Sequence, residues 1–591
     1  MTIYDYIVIV FYLAFMFFMG PIYKSFSKSA SDFFRGGGGM LWWVVGSSTF
    51  MSTFSAWSFT GGAAKAYETG TFFLLLFGCN ILVYVFTYFF TAAKFRQMRV
   101  VTAIEAIRKR FGNSNEQVFA WLPMFYNLIM GGMYLYAISV FMYGVFGVNI
   151  VLLIVVLGSV VFLMTLLGGS WAATAGDFVQ MLIVFSITLV MVFLTLKHPL
   201  TGGFAGLIEK LPEQHFNWSL FDRPWVVVIF TIFLLINQLV QMNSMTSTGG
   251  AKYVFVKNGR DSKRSVLVSI FGYLLLSPIW MIPAVAATFF HPNLAAEFPL
   301  LNNPNEAAYV AMAQTLLPTG LLGLLVCAIF AATLTTLNTF TNVASGAFVR
   351  NFYIRIVNKD ASESKQILVG RIFILIYGVL MMLVAFYFLG LKDTPLFDLL
   401  LIAAASVGIP STIPLFFGIF VKRTPPWSAW STMLLGFILA IVLRIVLKDE
   451  FISSLFSPER GFTGQELNDL DIALNAGILF TFCTSWFFGS MFFYKRENKA
   501  YTKQVDEFFV EMATPINMEK EHVDELESDS RQYSVLGKLC LVYGGFVMLL
   551  NFIPNSWESR IYISLCGLLI LFTGLVIIRK GVKISKKIVK V

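Results

Sequence analysis

Gly323–Arg350, GLLVCAIFAATLTTLNTFTNVASGAFVR, has the length and apolar flanks of a membrane-spanning helix. Its centre nevertheless carries Thr333, Thr335, Thr336, Asn338, Thr339, Thr341, Asn342 and Ser345, where lipid favours Leu or Phe. With about 100° of turn per residue, Ala332, Thr335, Thr336 and Thr339 share one face, and Asn338 and Asn342 lie on its flank. That face is uncharged and rich in oxygen, the chemistry that binds a small hard cation such as Na⁺ when backbone carbonyls complete the shell. Packing is the simpler account of any one of these residues, because Thr and Ser in membrane helices bond the i−4 carbonyl or a neighbouring helix. A functional reading therefore needs support from elsewhere in the chain.

Composition supplies the class. Of 591 residues, 57% are apolar and only 13% charged, and the apolar residues fall into about fifteen runs of bilayer-spanning length, from near 3–20 to near 561–579. The chain is expected to be an all-α polytopic membrane protein embedded in a lipid bilayer. The first run lacks a basic leader and a small-residue cleavage pattern, so it is expected to be a helix rather than a signal peptide. The net charge of +10 resides in short clusters between hydrophobic runs, as membrane orientation requires, and does not point to nucleic acid. Cys79, Cys327, Cys483, Cys540 and Cys566 lie in or beside apolar runs without metal-ligand spacing. His198, His215, His291 and His522 fall in separate loops, where surface exposure is the expectation. No nucleophile–base pair or metal cluster appears at membrane depth, which argues against an enzyme.

Placing the amino terminus outside puts most Lys and Arg in interior connections, among them Lys24, Lys28 and Arg35, Lys94 to Arg110, and Lys252 to Arg264. The carboxyl terminus is then cytoplasmic, and a multi-pass plasma (inner) membrane location follows. Two spans are poor lipid-facing helices, and they correspond. The second, LWWVVGSSTFMSTFSAWSFTGGAAKAYETG, is crowded with Ser, Thr and Gly between Gly46 and Ser58. The seventh runs into INQLVQMNSMTSTGG, interrupted by Asn237, Gln238, Gln241 and Asn243. Such a pair predicts broken helices in two halves of an inverted repeat, whose unwound carbonyls line a site near the midplane. Asp177, inside the sixth span near Gly168 and Gly169, is costly at depth unless paired, hydrated or coordinating a cation. Lys65 and Glu68, at i, i+3 spacing, read instead as a solvated pair at a helix end.

Five pieces in this order resemble the sodium/solute symporter family. They are DFFRGGGGMLWWVVGSSTFMSTFSAWSFTGGAAKAYETG (Asp32 to Gly70), GGSWAATAGDFVQ (Gly168 to Gln180), the NQ of Asn237 and Gln238, AIFAATLTTLNTFTN (Ala328 to Asn342) and LFFGIFVKRTPPWSAW (Leu415 to Trp430). The likeness runs over about residues 1–495. It implies a LeuT-type 5+5 inverted repeat with an extra N-terminal helix and extra C-terminal helices, working by alternating access. The expected divisions are 1–40 for the extra helix and its link, 41–223 and 224–425 for the two repeats, and 426–495 for two additional helices. A cytoplasmic linker at 496–535 and an appended pair with a basic tail at 536–591 follow.

The resemblance also implies sites. A first Na⁺ site matches the carbonyls of Met51, Phe54 and Ala332 and the hydroxyls of Thr335 and Thr336. A second matches Asp177, Thr335, Asn338 and Thr339, so one or two Na⁺ ions are expected. Solute contacts match Thr53, Ser55, Trp57 and Ser58, with Asn237 and Gln241 on the other broken helix. The Glu-Gln pair of sugar carriers is Trp57-Ser58 here, and Met242 stands where Arg is common. The first expectation for the solute is a small amino acid or organic acid, its carboxylate held by half-helix N-termini. The alternatives are a sugar, polyol or sialic-acid-type symporter and, from another class, a passive uniporter or solute sensor of the same fold. A sensor needs an output module, which the polar segment near 496–533 is too short to supply.

Overall fold

Lipid offers no hydrogen-bond partners, so apolar runs that cross it satisfy their own backbone as helices. The computed structural model describes residues 1–24, 38–100, 103–165, 170–216, 224–391, 395–456, 462, 464–495, 499–517 and 525–588, and these are helical almost throughout. Lys28, Arg35, Gly168, Gly169 and His522 lie outside them.

In chain order the helices are α1 (Ile3–Lys24), α2 (Trp42–Met51), α3 (Ala56–Phe59), α4 (Gly61–Thr69), α5 (Phe73–Phe86), α6 (Ala92–Gln97), α7 (Ala103–Phe111), α8 (Asn113–Phe146), α9 (Ile150–Thr165) and α10 (Ser170–Lys197). Then come α11 (Gly203–Lys210), α12 (Pro224–Met242), α13 (Thr248–Tyr253), α14 (Gly259–Phe290), α15 (Leu294–Glu297), α16 (Ala308–Leu316), α17 (Leu321–Phe348) and α18 (Glu363–Gly390). The last are α19 (Leu396–Ala403), α20 (Ile409–Phe417), α21 (Ser428–Val446), α22 (Asp449–Phe456), α23 (Gly464–Gly489), α24 (Lys499–Ala513), α25 (Glu525–Leu549) and α26 (Trp557–Ile588). Among the described residues twelve stretches are long and apolar enough to cross a bilayer, and shorter apolar helices, Ile3–Tyr12 and Ile150–Leu163, stand at the expected first and fifth spans. The expected second span is interrupted, its second half running on through Ala56–Gln97.

Helix α17 is central. Its apolar window is 89% buried, against 33% for that of α18, so its threonines face protein rather than lipid. It packs on α1, α8 and α10, and α2 lies between α10 and α14. A carboxylate anchors α17: Asp5 of α1 is 2% exposed, and its Oδ1 accepts the N–H groups of Gly320 (2.7 Å) and Gly323 (3.2 Å). Asp5 thereby satisfies amides left free at the helix start and places a negative charge at the positive end of its dipole. Only a glycine permits that approach, because a Cβ at Gly323 would lie 2.6 Å from the Asp5 carbonyl oxygen.

Two loop expectations change. His215 is 3% exposed, packed against Gly70, with Thr71 Oγ1 donating to its carbonyl at 2.7 Å. Within 499–517, α24 docks on α6 and α7, where Lys109 pairs with Glu511 at 2.8 Å and Arg110 donates to the Tyr501 hydroxyl at 3.1 Å. Helix α25 reaches the start of α2: Gln532 accepts the Leu41 N–H (3.1 Å) and donates to the Gly39 carbonyl (2.9 Å).

Candidate functional site

The break after Met51 follows from its residues. Ser52 Oγ donates to the Ser48 carbonyl at 2.6 Å and Thr53 Oγ1 to the Phe50 carbonyl at 2.6 Å, so side chains compete for oxygens at the end of α2. Ser55 turns extended (φ −152°, ψ −178°) and starts α3 by accepting the Trp57 N–H at 3.3 Å. The Ala56 N–H, without a helical partner, donates instead to Thr333 Oγ1 of α17 at 2.9 Å. One hydrogen bond thus joins the broken helix to the threonine-rich one.

On α17 the back-bonding expected of buried threonine is present. Thr335 donates to Ala331 O (3.0 Å), Thr336 to Ala332 O (3.2 Å) and Thr339 to Thr335 O (2.9 Å). A hydroxyl whose proton is committed to its own helix turns lone pairs outward, which is the state a cation needs. Met51 and Phe54 are each 2% exposed, and Ala332, Thr335 and Thr336 are buried as well. The Met51 carbonyl accepts the Phe54 N–H at 3.0 Å and keeps a second lone pair.

Asp177 is 2% exposed, so it is not a hydrated helix end. Its Oδ2 accepts from Ser48 Oγ at 2.5 Å and pairs with Lys252 Nζ at 3.3 Å, and Thr335 faces the same carboxyl. Asp177 and Thr335 therefore come together as expected. Asn338 and Thr339 have their recorded bonds within α17, to Asn342 (3.3 Å) and to Thr335 O.

The solute candidates divide. Tyr273 of α14 donates to Thr53 Oγ1 at 2.6 Å. Trp57 turns toward α19, its Nε1 donating to Leu396 O at 3.4 Å and its ring stacked on Phe397 at 5.8 Å. Helix α12 stays helical through Asn237 and Gln241 and ends at Met242, so its break falls between Gln241 and Asn243 of the polar set that announced it. Gln241 Nε2 donates to Asn237 Oδ1 (2.5 Å) and to the carbonyl of Ala404 (2.8 Å), two turns along the helical segment that Trp57 touches. Ser55 and Ser58 are buried at 3% and 4%. The first amides of α3 are already used, Ala56 by Thr333 and Trp57 by Ser55, so this half-helix does not offer them to a solute carboxylate.

Lys65 departs from its expected solvated pairing. It is 4% exposed, with its ammonium 5.4 Å from the Phe397 ring, while Glu68 accepts from Asn305 at 2.8 Å. Sequence reasoning also assigned no role to Ser48, Ser52, Tyr273 or Lys252. Ser48 and Ser52 belong to the polar run already noted, one turn apart on the face that meets Asp177. Lys252 carries no such signal, because in sequence it is one more base in a cluster between apolar runs.

Comparison with known proteins identifies the family. The sodium:solute symporter family profile matches residues 33–436. The sodium/sialic acid symporter SiaT of Proteus mirabilis is 25% identical over 448 residues, covering 74% of this chain and 89% of that protein. NanT of Aliivibrio fischeri, also a sodium/sialic acid symporter, is 23% identical over 74% of this chain and 86% of its own length. Sodium/myo-inositol cotransporter 2 of Bos taurus is 27% identical over 75% of this chain and 70% of its own. A solved structure of a Na⁺-coupled sialic acid symporter in a substrate-bound outward-open state superposes with a TM-score of 0.62 at 20% identity, covering 81% of this chain and 97% of that one. With the LeuT-type fold in place and a family match across most of its length, the chain belongs to the sodium:solute symporter family and is a membrane-embedded, sodium-coupled transporter of a small solute.

Proposed function

We propose that this chain imports a sialic-acid-class solute, a polyhydroxylated acid, driven by Na⁺ held between the broken helix α2–α3 and α17. The observation that supports the reading is the Ala56 N–H to Thr333 bond, which joins the segment carrying Met51 and Phe54 to the helix bearing Ala332, Thr335 and Thr336. Na⁺ entering from outside bridges the two, stabilises the solute-ready arrangement and is in turn held more tightly by bound solute. Each Na⁺ moving inward down about 100 mV gains roughly 2.3 kcal/mol beyond its concentration term. Movement of α17 away from α2 then opens the site inward. Trp57, Ser58, Asn237 and Gln241 supply the aromatic wall and the hydroxyl and amide groups that a polyhydroxylated solute requires.

The relatives at 25% and 23% identity favour the sialic acid class over the amino acid first expected. A polyol is the second reading, favoured by the relative at 27% and by the neutral Asn237–Gln241 pair. The amino terminus lies outside and the carboxyl terminus in the cytoplasm of a plasma (inner) membrane protein, as the basic clusters require. The repeats occupy 41–223 and 224–425, flanked by 1–40, 426–495, 496–535 and 536–591. Uptake of labelled N-acetylneuraminic acid and of myo-inositol into proteoliposomes tests the reading. Accumulation is expected only under an inward Na⁺ gradient, with the acid preferred. Equal accumulation in Na⁺ and in choline would refute it.

A further inference from the structure

Lys252 pairs with Asp177, the carboxylate that sequence reasoning gave to a second ion together with Thr335, Asn338 and Thr339. Its ammonium lies 2.9 Å from Ser48 O, 2.6 Å from Ser48 Oγ, 2.5 Å from Ser52 Oγ and 3.3 Å from Asp177 Oδ2. A carboxylate, two hydroxyls and a backbone carbonyl in the last turn of a helix form the oxygen set that a hard monovalent cation seeks, at the negative end of the α2 dipole. Ser48 Oγ accepts from the lysine and donates to Asp177, so every group there has a partner.

The lysine is placed, not merely near. Helix α13 is capped by Ser247, whose Oγ accepts the Gly250 N–H at 2.7 Å. Beyond it, Met40 N–H donates to Phe255 O at 3.0 Å and Arg96 Nε to Val256 O at 2.5 Å. These bonds tie the segment bearing Lys252 to the chain entering α2 and to α6. The side chains of Lys252 and Asp177 are 11% and 3% exposed, and a buried carboxylate is stable with one compensating charge. A second cation beside the same carboxylate leaves a net positive charge in a site that water does not screen.

We propose that Lys252 is a tethered cation standing in for a second Na⁺ at Asp177, so that the chain binds one Na⁺, and that removing the ammonium converts Asp177, Ser48 and Ser52 into a second Na⁺ site. This rests on the sodium-coupled reading above. Equilibrium binding of ²²Na⁺ to the purified full chain tests it. The parent binds one ion per chain, K252M two, K252R one, and the double variant K252M/D177N one. Two ions in the parent, or one in K252M, overturn the proposal while leaving the symporter reading intact; no ion in the parent overturns both. Thermal unfolding in choline and in Na⁺ guards against a folding defect. K252M leaves Asp177 uncompensated, so its melting temperature falls in choline and rises on Na⁺ addition by more than the parent's does. A Na⁺-induced rise no larger than the parent's overturns the proposal.

Discussion

Thr333→Val removes the bond between α17 and the broken helix while keeping the side-chain shape. Thr333 Oγ1 accepts the Ala56 N–H at 2.9 Å and donates to Ile329 O at 2.9 Å, and the residue is 1% exposed. Valine leaves the Ala56 N–H buried without a partner, a loss of about 1–3 kcal/mol. The Ile329 carbonyl keeps its place in the helix and loses only its second bond. In the proposed site Na⁺ bridges the same two elements, so the bond and the ion would stabilise one arrangement, and the two are linked. The half-saturating Na⁺ concentration for uptake is expected to rise, by about 5-fold for a loss of 1 kcal/mol and at most about 150-fold for 3 kcal/mol. Thr333→Ser keeps the oxygen and is expected to stay near the parent. The assay is initial uptake in proteoliposomes across a Na⁺ series at fixed solute, with melting temperature as a control for folding. A Thr333→Val protein whose Na⁺ dependence stays within twofold of the parent would show that the bond is not part of the Na⁺-bound arrangement and would sink the reasoning.

Asp5→Ala strips α17 of its cap and is expected to destabilise the protein by about 0.5–2 kcal/mol, read as a lower melting temperature; an unchanged melting temperature contradicts the capping role. Gln241→Leu leaves the Asn237 amide oxygen and the Ala404 carbonyl without their recorded donor, and is expected to raise the KM for solute while leaving the Na⁺ dependence unchanged. Equal effects on both would place Gln241 outside the solute site. Glu306, in the loop before α16 and 3% exposed, is pushed up from 4.5 to about 8 by burial, offset in part by the Leu396 N–H donating to it at 3.0 Å. The folded state therefore holds a proton that the unfolded chain has released, so stability falls as pH rises from about 4.5 to about 8 and levels off above that. Glu306→Gln is expected to flatten the melting temperature over that window, and an unflattened profile counts against the assignment.

The spans, the break after Met51 and the oxygen-rich face of α17 were legible because each is a local property. Hydropathy over about 20 residues marks a crossing segment, and Ser, Thr and Gly at membrane depth mark a weakened helix. The seventh span was legible in the same way: it ends at Met242, between Gln241 and Asn243 of the polar set that marked its interruption, while Asn237 and Gln241 bond each other and Ala404 within the helix. Lys65 shows where such reading slips: it is buried beside the Phe397 ring rather than solvated, and Glu68 accepts from Asn305.

By itself the sequence determined a helical membrane protein, a discontinuous second span and a helix face of threonine oxygens, because helical period and transfer energy depend on neighbouring residues. Only the tertiary structure decided that Ala56 meets Thr333 and that Lys252, far along the chain in a basic cluster, fills the oxygens around Asp177. A lysine's charge is written in the sequence, but the carboxylate that neutralises it is chosen by packing, since a buried charge left alone costs more than one buried with its partner.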